Sequence, residues 1–153
     1  MGILGDVTLD GEVLKNWTMQ ALPLTKTDVV GALVYGFTHS SSPHCSNQDC
    51  SVPGAYFGNF VLPEGQAALD TFLDPTGWGK GVAYVNNFNL GRYWPSIGPQ
   101  VTLYVPGVLL RPYPQKNTIF LFETEKAPPC SKRTVSFVDA PIIDGPVPHR
   151  DSR

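Results

Sequence analysis

The chain has 153 residues, of which 42% are hydrophobic and 16% charged, and its formal net charge is −2. This length suits one ordinary globular domain. The slight negative charge and the lack of a basic cluster argue against nucleic-acid binding, and no apolar run is long enough to span a membrane. With Gly and Pro at 15 each and many short apolar runs, the composition predicts an all-β sandwich or barrel.

Residues 1–24 are expected to form the first strands, which lead into the domain. The stretch 3–14 reads as two short strands around Asp10-Gly11, a dipeptide typical of tight hairpin turns. The chain begins almost within its first strand, and its start lacks the basic and apolar regions of a signal peptide. We therefore expect a fragment or a shortened product that has no signal peptide of its own.

Residues 25–54 are predicted to form a long surface loop, because they are rich in Ser, Pro, Asn and Gly. The loop carries four potential zinc ligands, which are His39, His44, Cys45 and Cys50. Structural zinc sites use spaced pairs of ligands packed against secondary structure. Here both spacings fall within one flexible loop, so no metal site is predicted.

The three cysteines give an odd count, which by itself settles no redox compartment. In a secreted or lysosomal protein, a local disulfide between Cys45 and Cys50 is the favoured pairing. Cys130 is then the unpaired thiol, or it bonds to a cysteine outside this chain.

The central stretch predicts three antiparallel strands with short connections. Residues 80–85 alternate with the period of a strand. Asn86-Asn87 follows as a tight turn, since Asn tolerates positive φ better than most residues. The stretch 88–94 returns as a second strand, and residues 101–105 alternate again as a third.

The remaining elements complete a domain predicted to span residues 55–143. Strands are expected at 55–62, 117–123 and 133–138, and a strand or a short helical turn at 68–73. The segment 119–122 is apolar on both faces, which places its strand in the middle of a sheet between layers. Residues 144–153 are expected to form a flexible tail that frays after Ile143.

The central stretch resembles the C-terminal part of the family-35 glycoside hydrolases, the β-galactosidases that include the lysosomal acid enzyme and the beta-galactosidase-1-like proteins. The resemblance runs from about residue 2 to about residue 143, through GWGKGVAYVNNFNLGRYWPSIGPQVTLYVPGVLL, the earlier YFGNFVLPEG, and the later NTIFLFETEKAPP and VSFVDAPII. Its structural signature is the run Gly91, Arg92, Tyr93, Trp94 and Pro95. The family favours Asn-Gly where this chain has Asn86-Asn87.

The resemblance implies a jelly-roll β-sandwich similar to galactose-binding domains. It also implies a parent enzyme, lysosomal or secreted, that hydrolyses terminal non-reducing β-D-galactose residues with retention. The catalytic Glu residues of the family lie on a (β/α)-barrel that this chain does not contain, so no catalytic residue is carried over and no cofactor is expected. The expected role is non-catalytic, packing against the barrel and the preceding β domain. The alternative is a carbohydrate-binding module that recognises galactosides.

One carboxylate pair is a candidate for a catalytic centre within the chain. Glu123 and Glu125 lie two apart at a strand end, about 7 Å apart along the backbone. Retaining glycosidases place two carboxyl groups about 5–5.5 Å apart. A solvated strand end is the favoured interpretation, because exposed acidic residues are the norm.

Two tryptophans are candidates for stacking on a sugar ring, Trp78 and Trp94. Core packing is the favoured interpretation, since large aromatic side chains bury much apolar area. Tyr93 and Trp94 are neighbours on a strand and face opposite sides. Arg92 is expected to be a half-buried guanidinium that is hydrogen-bonded to loop carbonyls.

Asn16-Trp17-Thr18 is the one N-glycosylation sequon of the chain. Asn16 is a candidate acceptor if the parent protein passes through the secretory route. A chain made alone from Met1 would remain unmodified there, because it has no entry signal.

Overall fold

The computed structural model describes residues 4–19 and 52–147. Within these ranges the regular elements are β-strands and single turns of 3-10 helix. The strands are β1 (Thr8–Leu9), β2 (Glu12–Val13), β3 (Gly54–Phe60), β4 (Thr71–Asp74), β5 (Gly81–Val85), β6 (Phe88–Tyr93), β7 (Leu103–Val105), β8 (Asn117–Glu123) and β9 (Ser136–Val138). The 3-10 turns are Pro95–Ile97, Gly107–Leu109 and Cys130–Lys132. The predicted all-β fold is confirmed, and none of the described helical turns could cross a membrane.

The strands form two antiparallel sheets and a separate hairpin. One sheet has the order β3-β8-β5-β6, the other has the order β7-β4-β9, and among the described strands β1 pairs with β2 alone. Strand β8 lies inside the larger sheet, where Ile119 on one face and Phe120 on the other are both buried. The predicted position in the middle of a sheet is therefore confirmed, whereas only one of the two faces packs against the other sheet.

The main core fills the space between the two sheets. Alternate residues of a strand point to opposite faces, so Leu73, Leu103 and Val105 of the smaller sheet face Ile119 and Leu121 of the larger one. Each fully buried aliphatic side chain contributes about 1.5–3 kcal/mol relative to exposure. This layered arrangement is the predicted β-sandwich.

The outer face of the larger sheet carries a second, aromatic cluster. Phe57 and Phe120 are register partners whose rings stack with centroids 5.0 Å apart. Tyr84 lies on the other side of Phe120 at 5.5 Å. Cross-strand aromatic pairs of this kind stabilise the pairing of neighbouring strands.

Both predicted hairpin turns occur. Asp10 and Gly11 have φ values of 52° and 87°, and Asn86 and Asn87 have φ values of 48° and 66°. Positive φ at both central residues gives the twist that matches two antiparallel strands. The β5–β6 pairing also shifts register between Ala83 and Tyr84, a bulge that the sequence pattern did not predict.

Hydrogen bonds join the C-terminal segment to residues 99–102. Ile142 accepts a hydrogen bond from Val101 N–H at 2.9 Å, and its own N–H donates to the hydroxyl of the buried Thr102 at 3.0 Å. Gly145 N–H then donates to the carbonyl of Pro99 at 2.9 Å. Residues 99–102 thus hydrogen-bond this segment as far as Gly145, and the flexibility of the tail 144–153 stays a prediction.

Candidate functional site

The carboxylate of Glu123 lies in the interior at the end of β8. Ile119, Leu121 and Glu123 occupy alternate positions of one strand, so all three point towards the core. Glu123 is 0% exposed. The expectation that it belongs to a solvated strand end is therefore wrong, whereas Glu125 is exposed as expected.

Glu123 accepts hydrogen bonds from six donors. Its Oε2 accepts from the hydroxyl of Tyr93 at 3.1 Å, and the other five donors are backbone N–H groups at 2.8–3.2 Å. The backbone donors are those of Gly79, Lys80, Thr124, Glu125 and Lys126. A buried carboxylate is tolerated only when it is paired or hydrogen-bonded in this way.

Two glycines make room for this network. A Cβ at Gly79 would lie 2.6 Å from Lys126 N and 3.1 Å from Glu123 Oε1. A Cβ at Gly81 would overlap the carbonyl of Phe122 and lie 2.5 Å from the Tyr93 hydroxyl. The two glycines therefore allow the backbone and the phenol to approach the carboxylate closely.

This geometry excludes the pair of Glu123 and Glu125 as a glycosidase centre. An acid or a nucleophile must reach substrate, but Glu123 is enclosed by its six donors and Glu125 lies outside the core. Burial, with the neighbouring charge of Glu123 as the next cause, raises the pKa of Tyr93 far above its ordinary value. The network therefore holds a proton on Tyr93 and fixes the chain rather than reacting.

A second buried polar centre lies at the opposite end of β8. Asn117 is 0% exposed, and its Oδ1 accepts from Asn86 Nδ2 and from Arg111 N–H, both at 2.7 Å. Asn86 also donates to the carbonyl of Leu109 at 2.6 Å and accepts from Thr118 N–H at 2.9 Å. These bonds connect the β5–β6 turn to the turn 107–109. The sequence did not reveal this role of Asn86 and Asn117.

A surface cleft of about 280 Å³ opens beside the end of β6. Its base includes the buried side chains of Val101 and Leu103, and its walls include Arg92, Trp94 and Gln100. This combination of an apolar base and a few polar groups is typical of small-molecule sites.

The structure separates the two tryptophan candidates. Trp78 is buried, its Nε1 donates to the carbonyl of Thr134 at 2.9 Å, and its ring meets Tyr56 edge-on at 4.9 Å. Trp78 is thus a core residue and is not available to a sugar. Trp94 is half-buried and lines the cleft, so it is the candidate that remains.

Arg92 differs from its predicted environment. It was expected to be half-buried and hydrogen-bonded to loop carbonyls, but it is exposed on the wall of the cleft. No hydrogen bond or ion pair joins its guanidinium to another of the described residues. The reason is strand alternation, which buries Tyr93 and turns its neighbour Arg92 outward.

Residues 53–117 match the family model described as the galactose-binding domain of β-galactosidase. The match supports the galactose-binding-like form of the sandwich predicted above. It includes the cleft and the signature 91–95, whereas Glu123 lies beyond it.

Curated β-galactosidases resemble nearly the whole chain. The β-galactosidase of Pongo abelii is 40% identical over 160 residues, which cover 95% of this chain and 23% of that protein. The Homo sapiens β-galactosidase is 39% identical with the same coverage, and β-galactosidase 17 of Arabidopsis thaliana is 40% identical over 81% of this chain and 18% of that protein. The chain therefore spans about a quarter or less of the length of these relatives.

Asn16 of the sequon lies in an exposed segment, with a φ of 60°. Asn16 is therefore accessible, and its glycosylation stays a prediction. Among the described residues no three His, Cys, Asp or Glu side chains gather as metal ligands would. The four potential zinc ligands of the loop lie outside the described residues, and they are His39, His44, Cys45 and Cys50.

Cys130 is disulfide-bonded. The expectation that it is an unpaired thiol is therefore wrong. The two other cysteines of the chain, Cys45 and Cys50, lie outside the described residues. Because a cysteine forms one disulfide, a bond from Cys130 to either of them is incompatible with the predicted Cys45–Cys50 bond.

Proposed function

We propose that this chain is a non-catalytic C-terminal domain of a family-35 β-galactosidase and that it serves a structural role. The parent enzyme would hydrolyse terminal non-reducing β-D-galactose residues with retention, in the lysosome or after secretion. The domain would pack against the catalytic barrel and the preceding β domain and would supply no reacting group. The enclosure of Glu123 supports the last point, because a buried Glu123 cannot reach a substrate together with Glu125.

The observation that carries the packing role is the isolated β1–β2 hairpin. Every residue from 4 to 19 apart from Val7 is exposed, including Leu4 at 99%, Trp17 at 62% and Met19 at 97%. A two-stranded hairpin alone is marginally stable in water, and these apolar side chains lie within one short segment of 16 residues. A neighbouring surface of a β-galactosidase would stabilise the hairpin by covering them.

Sedimentation of the isolated chain tests this role. We expect the chain to self-associate, and we expect the double variant Leu9→Asp, Trp17→Asp to shift it towards monomer. Thr8→Asp is the matched control, because it adds a charge to the same hairpin without removing apolar surface. A monodisperse, cooperatively melting wild-type monomer would contradict the packing role.

A second candidate function is carbohydrate binding in the cleft. The half-buried ring of Trp94 beside Gln100 supports it, since aromatic rings offer an apolar face to a sugar. Titration with galactose and lactose, followed by tryptophan fluorescence, tests it. No response at millimolar sugar would remove this candidate.

A further inference from the structure

Among the described residues that line the cleft, one carries a positive charge and none carries a carboxylate. Arg92 is the one cation among the described lining residues, and no Asp or Glu lines the cleft beside it. Tyr93 is also a lining residue, and its hydroxyl donates to the carboxylate of Glu123. That carboxylate is enclosed by six donors, and Glu123 is not among the lining residues. An exposed guanidinium that no other described residue engages is suited to pairing with a planar anion.

Trp94 offers only one face to a ligand. The ammonium group of Lys80 lies 3.9 Å from the centroid of the Trp94 ring, in cation–π geometry. Lys80 is not among the residues that line the cleft. A ligand in the cleft can therefore contact the part of the ring that Lys80 does not cover. Lys80 also adds a second positive charge near the cleft.

Gln100 supplies a polar amide whose oxygen can accept a hydrogen bond from a ligand. Its Nε2 donates to the carbonyl of Thr102 at 3.0 Å, which fixes the orientation of the amide. The Oε1 atom is an acceptor suited to a hydroxyl group of a ligand. Guanidinium, indole and amide oxygen thus line a space of about 280 Å³, just below the usual lower limit of about 300 Å³ for ligand pockets.

We propose that this cleft binds an acidic monosaccharide, a pyranose that carries a carboxylate, in preference to its neutral counterpart. Arg92 pairs with the carboxylate, Trp94 contacts the ring, and Gln100 Oε1 accepts from a hydroxyl. The proposal rests on the second candidate function and names its ligand class. It does not depend on the packing role.

Galacturonate and galactose test the proposal, because they differ only in a carboxylate or a hydroxymethyl group at one carbon. Titrations of the chain with each sugar at low salt are followed by the indole and backbone amide signals of Trp94 and Gln100. We expect galacturonate to bind about tenfold more tightly, the effect of one charge-assisted contact. The preference should shrink as salt is added.

Two substitutions of arginine identify the group responsible. Arg92→Gln should lower the ratio of the galacturonate affinity to the galactose affinity from about tenfold towards one, and Arg92→Lys should keep part of it because Lys lacks the planar fork. Arg111→Gln is the control, since Arg111 is also exposed but lies outside the cleft. Equal binding of both sugars overturns the proposal and spares the second candidate function, whereas no binding of either overturns both.

Discussion

The hydroxyl of Tyr93 on β6 donates a hydrogen bond to Glu123 on β8 at 3.1 Å, although strand β5 lies between them. Gly81 of β5 is the register partner of both residues. Because glycine has no side chain, the phenol can pass over β5 and reach the carboxylate. The absence of a side chain at Gly81 thus allows one buried carboxylate on β8 to bind a residue of β6 across β5.

Glu123→Gln should lower the free energy of unfolding by at least about 3 kcal/mol. The amide nitrogen cannot accept a hydrogen bond, so several buried N–H donors lose their partner, and hydrogen bonds to charged groups contribute about 1.5–3 kcal/mol each. Urea denaturation measures the change. Glu125→Gln, at an exposed position two residues away, should stay within about 0.5 kcal/mol. Equal effects of the two variants would contradict the interior role of Glu123.

Tyr93 should retain its proton until the protein unfolds in alkali. Burial and the charge of Glu123 raise its pKa from 10.0, so its contribution to stability is present below about pH 10 and is lost as pH rises through the folded pKa. Ultraviolet absorbance reports the phenolate, and circular dichroism reports unfolding. Tyr93→Phe should cost about 1.5 kcal/mol at neutral pH and weaken the loss of stability in alkali. A variant as stable as wild type at pH 7 would count against the network.

The two residues of the β5–β6 turn should respond in opposite directions. Asn87→Gly should stabilise the protein by about 0.5–1 kcal/mol, since glycine adopts positive φ without strain and the buried Oδ1 of Asn87 has no hydrogen-bond partner among the described residues. Asn86→Gly should destabilise it by about 2 kcal/mol, because Asn117, Leu109 and Thr118 lose their partner. Thermal melting compares the two variants, and changes of equal sign would contradict this assignment.

Asp70 should contribute to stability at neutral pH but not in strong acid. The backbone N–H of Gly107, followed by the hydroxyl of Tyr104 at 2.6 Å, lowers the pKa of Asp70 below its ordinary 3.8. Its contribution is therefore present above that value and is lost as pH falls through the folded pKa. The melting temperature of Asp70→Asn should fall less than that of the wild type between pH 7 and about pH 3. Tyr104→Phe should reduce this fall by a smaller amount, because the Gly107 N–H still binds Asp70. A fall in melting temperature that is the same in Asp70→Asn and in the wild type would refute the prediction.

Peptide mapping without reduction should find Cys130 in a disulfide bond, because Cys130 is disulfide-bonded in the structure. Cys130→Ser should remove this disulfide-linked peptide from the map. A wild-type map that shows Cys45 bonded to Cys50 and a free Cys130 would contradict the structure.

The sequence by itself determined the local elements of this protein. Alternating side chains at 81–85, 103–105 and 119–122 specify strands, and Asn86-Asn87 specifies a turn, because both signals depend on residues adjacent in the chain. The same alternation, carried two residues beyond Leu121, would have placed Glu123 inside. It was missed because an acidic residue at a strand end is ordinarily exposed.

Only the tertiary structure decided what these side chains touch. Glu123 and its donor Gly79 are 44 residues apart in the chain, and no periodic pattern reports a contact over that separation. Likewise Trp78 and Trp94 are the same residue type on neighbouring segments, yet one lies in the core and the other on a cleft. The physical reason is that propensity acts between neighbours in sequence, whereas burial and hydrogen bonding depend on which strands the fold brings together.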